Sequence, residues 1–209
     1  MLVTEIAELS KTRCKVFIEN EFAFVLYKGE LRLYHLQEGR EISEEDYCRI
    51  MREVLPKRAK LRAMNLLKSR DYTTAKLREK LEQGGYPQAV IEETLEYVAS
   101  YHYTDDLRYA VSYMTCYENQ RSRRRIEQDL YARGIPKEIL EQAWLEWESQ
   151  GGCCDEQEMI KKLLEKKGYD SRTADNKEKQ RIFAFLMRKG FSPEQIRKAM
   201  NSENMDSYT

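Results

Sequence analysis

The sequence predicts a mainly α-helical protein: three tandem three-helix repeats forming an elongated, curved solenoid, preceded by a small β-rich N-terminal segment. Three observations carry this expectation. Glycine (9) and proline (4) are scarce in 209 residues, which disfavours turn-rich sandwiches and barrels. Beyond residue 57 the apolar positions recur at helical spacing. A glycine-centred pattern also occurs three times, at a period too long for tetratricopeptide or ankyrin repeats.

Residues 1–56 differ from the rest. The stretch CKVFIENEFAFVLYKGELRLYHL (14–36) groups β-branched and aromatic residues in short runs broken at Glu19-Asn20-Glu21 and at Lys28-Gly29. Two or three antiparallel strands are expected there, with Val3 to Leu9 as a further partner and no strand beyond about residue 40. After Gly39, Ser43 opens SEEDYCRIMREVL, a Ser-x-x-Asp cap ahead of Tyr47, Ile50, Met51 and Val54 at helical spacing. Pro56 is expected to end that helix. A segment this small buries too little apolar surface to stand firmly alone.

The repeats follow, at 57–101, 102–150 and 151–209, the last with a short tail. Leu77-x3-Leu81-x3-Gly85-Tyr86, Ile126-x3-Leu130-x3-Gly134-Ile135 and Ile182-x3-Leu186-x3-Gly190-Phe191 align, with spacings of 49 and 56 residues. Apolar residues four apart form a buried helical stripe, and the glycine supplies the left-handed cap that stops the helix. Pro87, Pro136 and Pro193 then fall at or near the first turn of the next helix, where a missing N–H costs nothing. An amphipathic stretch precedes each pair: Leu61, Met64, Leu66 and Leu67; Leu107, Ala110, Tyr113, Met114 and Tyr117; Ile160, Leu163 and Leu164.

Composition excludes several classes. The five cysteines are odd in number and scattered, so they read as reduced thiols, and with two histidines and no Cys-x-x-Cys there is no zinc ligand set. Adjacent Cys153 and Cys154 would bridge only through a strained ring. No apolar run is long enough to span a bilayer and the N-terminus lacks a signal-peptide pattern, so a cytoplasmic protein without a membrane partner is expected. Gly84-Gly85 and Gly151-Gly152 lack the companions of a phosphate loop, and Asp105-Asp106 reads as a helix-opening acidic pair rather than an acid–base pair. An enzyme is not expected, nor a cofactor or metal.

Net charge is zero, so any basic surface must be local. The sharpest local feature is Arg121-Ser122-Arg123-Arg124-Arg125, at the loop and helix start inside the second repeat. Cations at a helix N-terminus oppose its dipole, and an unfavourable cluster of this kind suggests phosphate as a partner, the bland alternative being a solvated loop neutralised by Glu118, Glu127 and Asp129. Side chains placed at a loop and helix start are expected to be dispensable for folding. Equivalent positions carry Arg70, Lys76, Arg78 and Lys80 in the first repeat and Lys177, Lys179 and Arg181 in the third, which would form a discontinuous basic stripe on one side of a solenoid. Tyr101 and Tyr103 flank His102 between the first two repeats and read as an aromatic-packed junction.

Four stretches carry a family resemblance. Arg70-Asp71-Tyr72-Thr73-Thr74-Ala75-Lys76-Leu77-Arg78-x-Lys80-Leu81 with Gly85-Tyr86 resembles the first repeat of the RecX family of recombination regulators, and Tyr103-Thr104-Asp105-Asp106-x-Arg108-Tyr109-Ala110-x2-Tyr113 resembles its most recognisable signature. Arg125-Ile126-x2-Asp129-Leu130-x3-Gly134-Ile135 and the stretch 177–200 are similar to the motifs that follow, in the same order, although Ser122-Arg123-Arg124 stands where the family usually has Gly-Pro. The resemblance implies a monomeric, non-enzymatic modulator that binds the RecA filament on single-stranded DNA and inhibits strand exchange, ATP hydrolysis and co-protease activity, within DNA repair and the SOS response. The rival readings are a helical-repeat DNA-binding protein acting without RecA, and a scaffold with an unrelated partner. Base-reading helix-turn-helix units are disfavoured, because the third helices, PQAVIEETLEYV and PKEILEQAWLEW, are acidic.

Overall fold

A computed structural model describes residues 1–202, which fall into two compact units, Met1–Asp105 and the part from Asp106 onward. The first unit begins with a three-stranded antiparallel sheet of order β1-β2-β3: β1 (Val3–Glu8), β2 (Arg13–Ile18) and β3 (Glu21–Tyr27). Glu19 (φ +52) and Asn20 (φ +66) join β2 to β3, and two successive left-handed residues match the turn that the right-handed strand twist favours. Val16 sits opposite Phe24, and both are fully buried with Val3 and Leu26, so the β-branched and aromatic run that predicted the strands also supplies their inner face.

Two expectations for this region are corrected. Lys28-Gly29 does end β3, but no further strand follows it: Lys28–Leu33 forms a short helix, α1, whose entry is fixed by Glu30 accepting from the Tyr27 N–H at 2.7 Å. Pro56 does not end the helix opened by Ser43. α2 (Glu44–Arg49) continues through a π-helical turn (Ile50–Val54) into α3 (Leu55–Leu67), with Pro56 in the first turn of α3. Within the π turn each N–H reaches one residue further back, as Leu55 does to Ile50, and the ladder resumes with the donor-less proline at a position that tolerates it.

α4 (Thr74–Glu82) and α5 (Gln88–Ser100) complete this unit. The buried stripe of α3 is Leu55, Ala59 and Ala63, whereas Leu61, one of the apolar positions of the amphipathic stretch read from the sequence, is 63% exposed. One apolar core runs from Val3 and Phe24 through Ile50 and Leu55 to Leu77, Leu81, Ile91 and Val98, so the sheet and these helices bury each other. Arg58 of α3 ties the layers together: both Glu30 carboxylate oxygens accept from its Nη2 at 2.9 Å, the Val25 carbonyl accepts from Nη1 at 3.3 Å, and the guanidinium lies 4.7 Å from the Tyr27 ring centre.

The second unit holds α6 (Asp106–Tyr117), α7 (Arg123–Tyr131) and α8 (Lys137–Ser149), then α9 (Glu156–Lys166), α10 (Asn176–Arg188) and α11 (Pro193–Ser202). Each trio has its own core, Met114, Ile126, Leu130, Ile135 and Trp144 in one and Ile160, Leu164, Ile182, Leu186 and Phe191 in the other, with Cys154 packed against both.

The three aligned glycines cap their helices as expected, at φ +78, +80 and +95. After each, the N–H of the next residue donates back to the helix: Tyr86 to Leu81, Ile135 to Leu130 and Phe191 to Leu186, at 3.1–3.4 Å. The two histidines do the same work. His35 (φ +51) and His102 (φ +55) are left-handed, and Leu36 and Tyr103 close onto Leu31 and Val98, each at 2.9 Å. Among the described residues no helix is long and apolar enough to cross a membrane.

Candidate functional site

The arginine cluster is built on Ser122. This residue is fully buried, its Oγ accepts from the Arg125 N–H at 3.2 Å to cap α7, and its own N–H donates to the Lys189 carbonyl at 3.3 Å. The start of α7 is thus pinned to the turn between α10 and α11, and the four guanidiniums leave a fixed point in different directions.

Arg121 turns inward. It pairs with Asp129, donates to the Tyr113 hydroxyl, and lies 4.0 Å from the Tyr117 ring centre. Asp129, whose side chain is 12% exposed, also takes Arg125 at 3.1 Å and the Tyr113 hydroxyl at 3.2 Å. The Tyr113 phenol is pushed above its usual range, chiefly by burial, so it remains a neutral donor to this carboxylate. Arg125 itself stays exposed, so it caps the Asp129 network from outside.

Arg123 faces the other way, with Glu127 and Glu148 each at 3.3 Å and the Trp144 ring 4.3 Å below its guanidinium, while its backbone N–H donates to Glu156 at 2.8 Å. Arg124 is exposed and has no carboxylate within ion-pair distance among the described residues. The cluster therefore divides. Arg123 and Arg124 border a broad cavity of about 940 Å³ whose wall also carries Glu127, Glu148, Asp155 and Glu156. Arg121 and Arg125 border a smaller one of about 240 Å³ with Phe185, Arg188 and Lys189, and no carboxylate lines it.

The flanking candidates are mostly engaged locally. Arg70 lies 4.7 Å from the Tyr72 ring centre, Lys76 pairs with Glu79 at 2.8 Å and Lys80 donates to Gln83 at 3.1 Å. Arg78 forks onto Glu92 of α5, with the second bond at 2.8 Å; this raises the affinity of Arg78 for its proton and holds the Glu92 carboxyl below its usual range. In α10, Lys177 is exposed, Arg181 reaches Glu178 at 3.5 Å, and Lys179 lines a separate cavity with Tyr169 and Arg197. Tyr101 and Tyr103 stack with ring centres 5.9 Å apart and remain 59% and 45% exposed.

Arg188 and Lys189 were not singled out from the sequence. Their signal was the repeat itself, because Lys189 immediately precedes Gly190, as Arg133 precedes Gly134, and cations favour the last turn of a helix.

Three-helix modules in tandem, each closed by a left-handed cap, define a helical-repeat protein. The chain belongs to the RecX family. Its first, second and third three-helix domains match residues 59–97, 105–143 and 155–200. Regulatory protein RecX of Caldanaerobacter subterraneus subsp. tengcongensis is 32% identical over 203 residues, covering 96% of this chain and 99% of that one. The Clostridioides difficile protein of the same name is 27% identical over 214 residues, covering 99% and 98%. A crystal structure of regulatory protein RecX superposes with a TM-score of 0.58 over 95% of this chain and 98% of that one, at 23% identity, a likeness of fold.

Proposed function

We propose that this protein is a non-enzymatic regulator that binds the RecA recombinase filament on single-stranded DNA in the cytoplasm and lowers its ATP hydrolysis, strand exchange and co-protease activity. The observation that carries the reading is the three RecX three-helix domains matched in order along one chain, together with relatives named as regulatory proteins. Supporting it, exposed guanidiniums at Arg70, Arg123, Arg124 and Arg125 and the exposed Lys177 and Arg181 provide the local positive charge that a phosphate-coated filament attracts, despite zero net charge. The acidic third helices, α5 and α8, disfavour reading of bases in a duplex groove.

The test is RecA ATP hydrolysis on single-stranded DNA with increasing amounts of this protein. The expected result is a saturable fall in rate. An unchanged rate at concentrations that coat the DNA would overturn the reading and leave DNA binding without RecA.

A further inference from the structure

The sequence places all four arginines in one cluster, but the structure separates Arg121 and Arg125 from Arg123 and Arg124 and gives the first pair new neighbours. The cavity they border is closed on its far side by the C-terminal end of α10, with Arg188 in its last turn, Lys189 as its cap and Phe185 one turn earlier. All four charged groups that line it are cations. Asp129 supplies one negative charge, shared between Arg121 and Arg125. Arg188 and Lys189 have no carboxylate within ion-pair distance among the described residues. Lys167, 5.1 Å from the Phe185 ring centre, adds a further cation beside the same ring, and Lys189 lies 5.9 Å from it.

Like charges gathered in a concave, partly apolar site repel one another. The arrangement is held despite this, because Ser122 donates to the Lys189 carbonyl and Gly190 packs against Arg125 with no room for a side chain. An oxyanion in the cavity relieves the repulsion. The volume, about 240 Å³, lies below the range of drug-sized pockets, so it suits a phosphate and its ester arms rather than a whole cofactor.

We propose that the cavity of Arg121, Arg125, Phe185, Arg188 and Lys189 binds a backbone phosphodiester of a single-stranded nucleic acid, with Arg188 and Lys189 as its principal contacts and Arg121 and Arg125 held by Asp129 as the fixed rear wall. The inference rests on the RecA-filament reading and assigns the strand a place on this chain. Because Arg121 is committed to Asp129, the free donors are those on α10.

The experiment measures binding of a fluorescein-labelled polythymidine oligonucleotide to the full chain, without RecA, across a salt series. R188Q/K189Q is expected to weaken binding roughly tenfold at low salt and to flatten the slope of log K against log salt by about 1.4, two contacts at about 0.7 each. R188K/K189R, which keeps both charges, is expected to bind as wild type, and equal melting temperatures exclude a folding defect. Wild-type affinity and slope in R188Q/K189Q would overturn the assignment. Inorganic pyrophosphate separates the strand from a free polyphosphate: weak competition at the level of general salt screening supports the strand. Tight pyrophosphate binding lost in the variant while oligonucleotide affinity is unchanged would refute it. RecA ATP hydrolysis run alongside keeps the two readings apart. Inhibition by wild type with no pocket effect sinks only the pocket, and a pocket effect with no inhibition sinks only the regulator.

Discussion

Gly190 and Arg125 are in such close approach that a Cβ placed on Gly190 lies 2.6 Å from the Arg125 Cβ and 3.2 Å from its backbone N, with Ser122 Oγ nearer still. The glycine therefore meets two demands at one position. Its φ of +95 turns the chain from α10 into α11, and its bare Cα lets that turn seat on the start of α7. Gly85 does the corresponding work in the first unit, where a Cβ meets Val25 of β3, with the Val25 Cβ at 3.1 Å.

G190A and G85A are accordingly expected to cost more than the same change at Gly39 or Gly168, which also have positive φ but nothing within 4 Å of an added methyl. The two open sites bear only the left-handed penalty, about 1–2 kcal/mol, and the two crowded ones a packing clash of about 1–3 kcal/mol in addition. Urea unfolding of the four variants checks the order; equal losses at all four would show that the clashes relax freely.

The arginine cluster separates by stability. R121A removes a partner from a carboxylate that is nearly buried, and is expected to destabilise by about 1–3 kcal/mol, the remaining bonds from Arg125 and Tyr113 limiting the loss. R124A touches an exposed side chain and is expected to stay within about 0.5 kcal/mol of wild type. At Arg121 the expected loss departs from the sequence-based expectation that all four arginines are dispensable for folding. Thermal melts of the two single variants decide the point, and a silent R121A would mean that the Asp129 network contributes nothing net.

The histidines give a third expectation. A non-glycine residue held at φ +55 is strained by the crowding of its Cβ, so H102G is expected to relieve up to about 1 kcal/mol, partly offset by the greater freedom of glycine in the unfolded chain, while H102V adds strain. Melting temperatures that rank valine at or above histidine would contradict this role.

Much of the architecture was legible because its signals are local and periodic. Apolar residues four apart, a glycine, an aromatic or aliphatic plug and a proline recur three times, and each of these acts on its own turn of chain. What escaped was set by contacts between distant segments. Arg58 and Glu30 are 28 residues apart, and nothing in either neighbourhood announces the pair. Lys28–Leu33 follows a β-branched and aromatic run that reads as strand, but its own residues, KGELRL, are mostly good helix formers, and the Glu30 cap and the Arg58 ion pair fix the helix they form. Pro56 reads as a stop because a π turn leaves no mark in composition. At the candidate site the charges were visible and their partners were not. Arg121 and Arg124 look alike in a row of five residues, and what tells them apart is the fold of the loop before α7, which turns Arg121 back onto Tyr113, Tyr117 and Asp129 while Arg124, in the first turn of α7, stays exposed.

The thiols offer a test that depends on burial rather than on charge. All five cysteines are free; Cys116 and Cys153 are exposed, Cys48 and Cys154 half-buried, and Cys14 buried in β2. The thiolate is the reactive form, and the Cys154 thiol is pushed up, first by burial and then by the nearby Glu156 carboxylate, with Arg123 opposing. Its thiolate is the minor form at neutral pH and grows as pH rises, so its alkylation should lag behind that of its neighbour and accelerate in alkaline buffer. Limited iodoacetamide treatment of the native chain, read by peptide mass mapping, is therefore expected to modify Cys116 and Cys153 first, Cys154 more slowly, and Cys14 only on unfolding. Because Cys154 packs against the cores of both helical trios in the second unit, a variant that loosens that packing, such as G190A, is expected to speed Cys154 labelling while leaving Cys116 unchanged. Equal rates at Cys153 and Cys154 in the native protein would mean that the Cys154 side chain is not held between those cores.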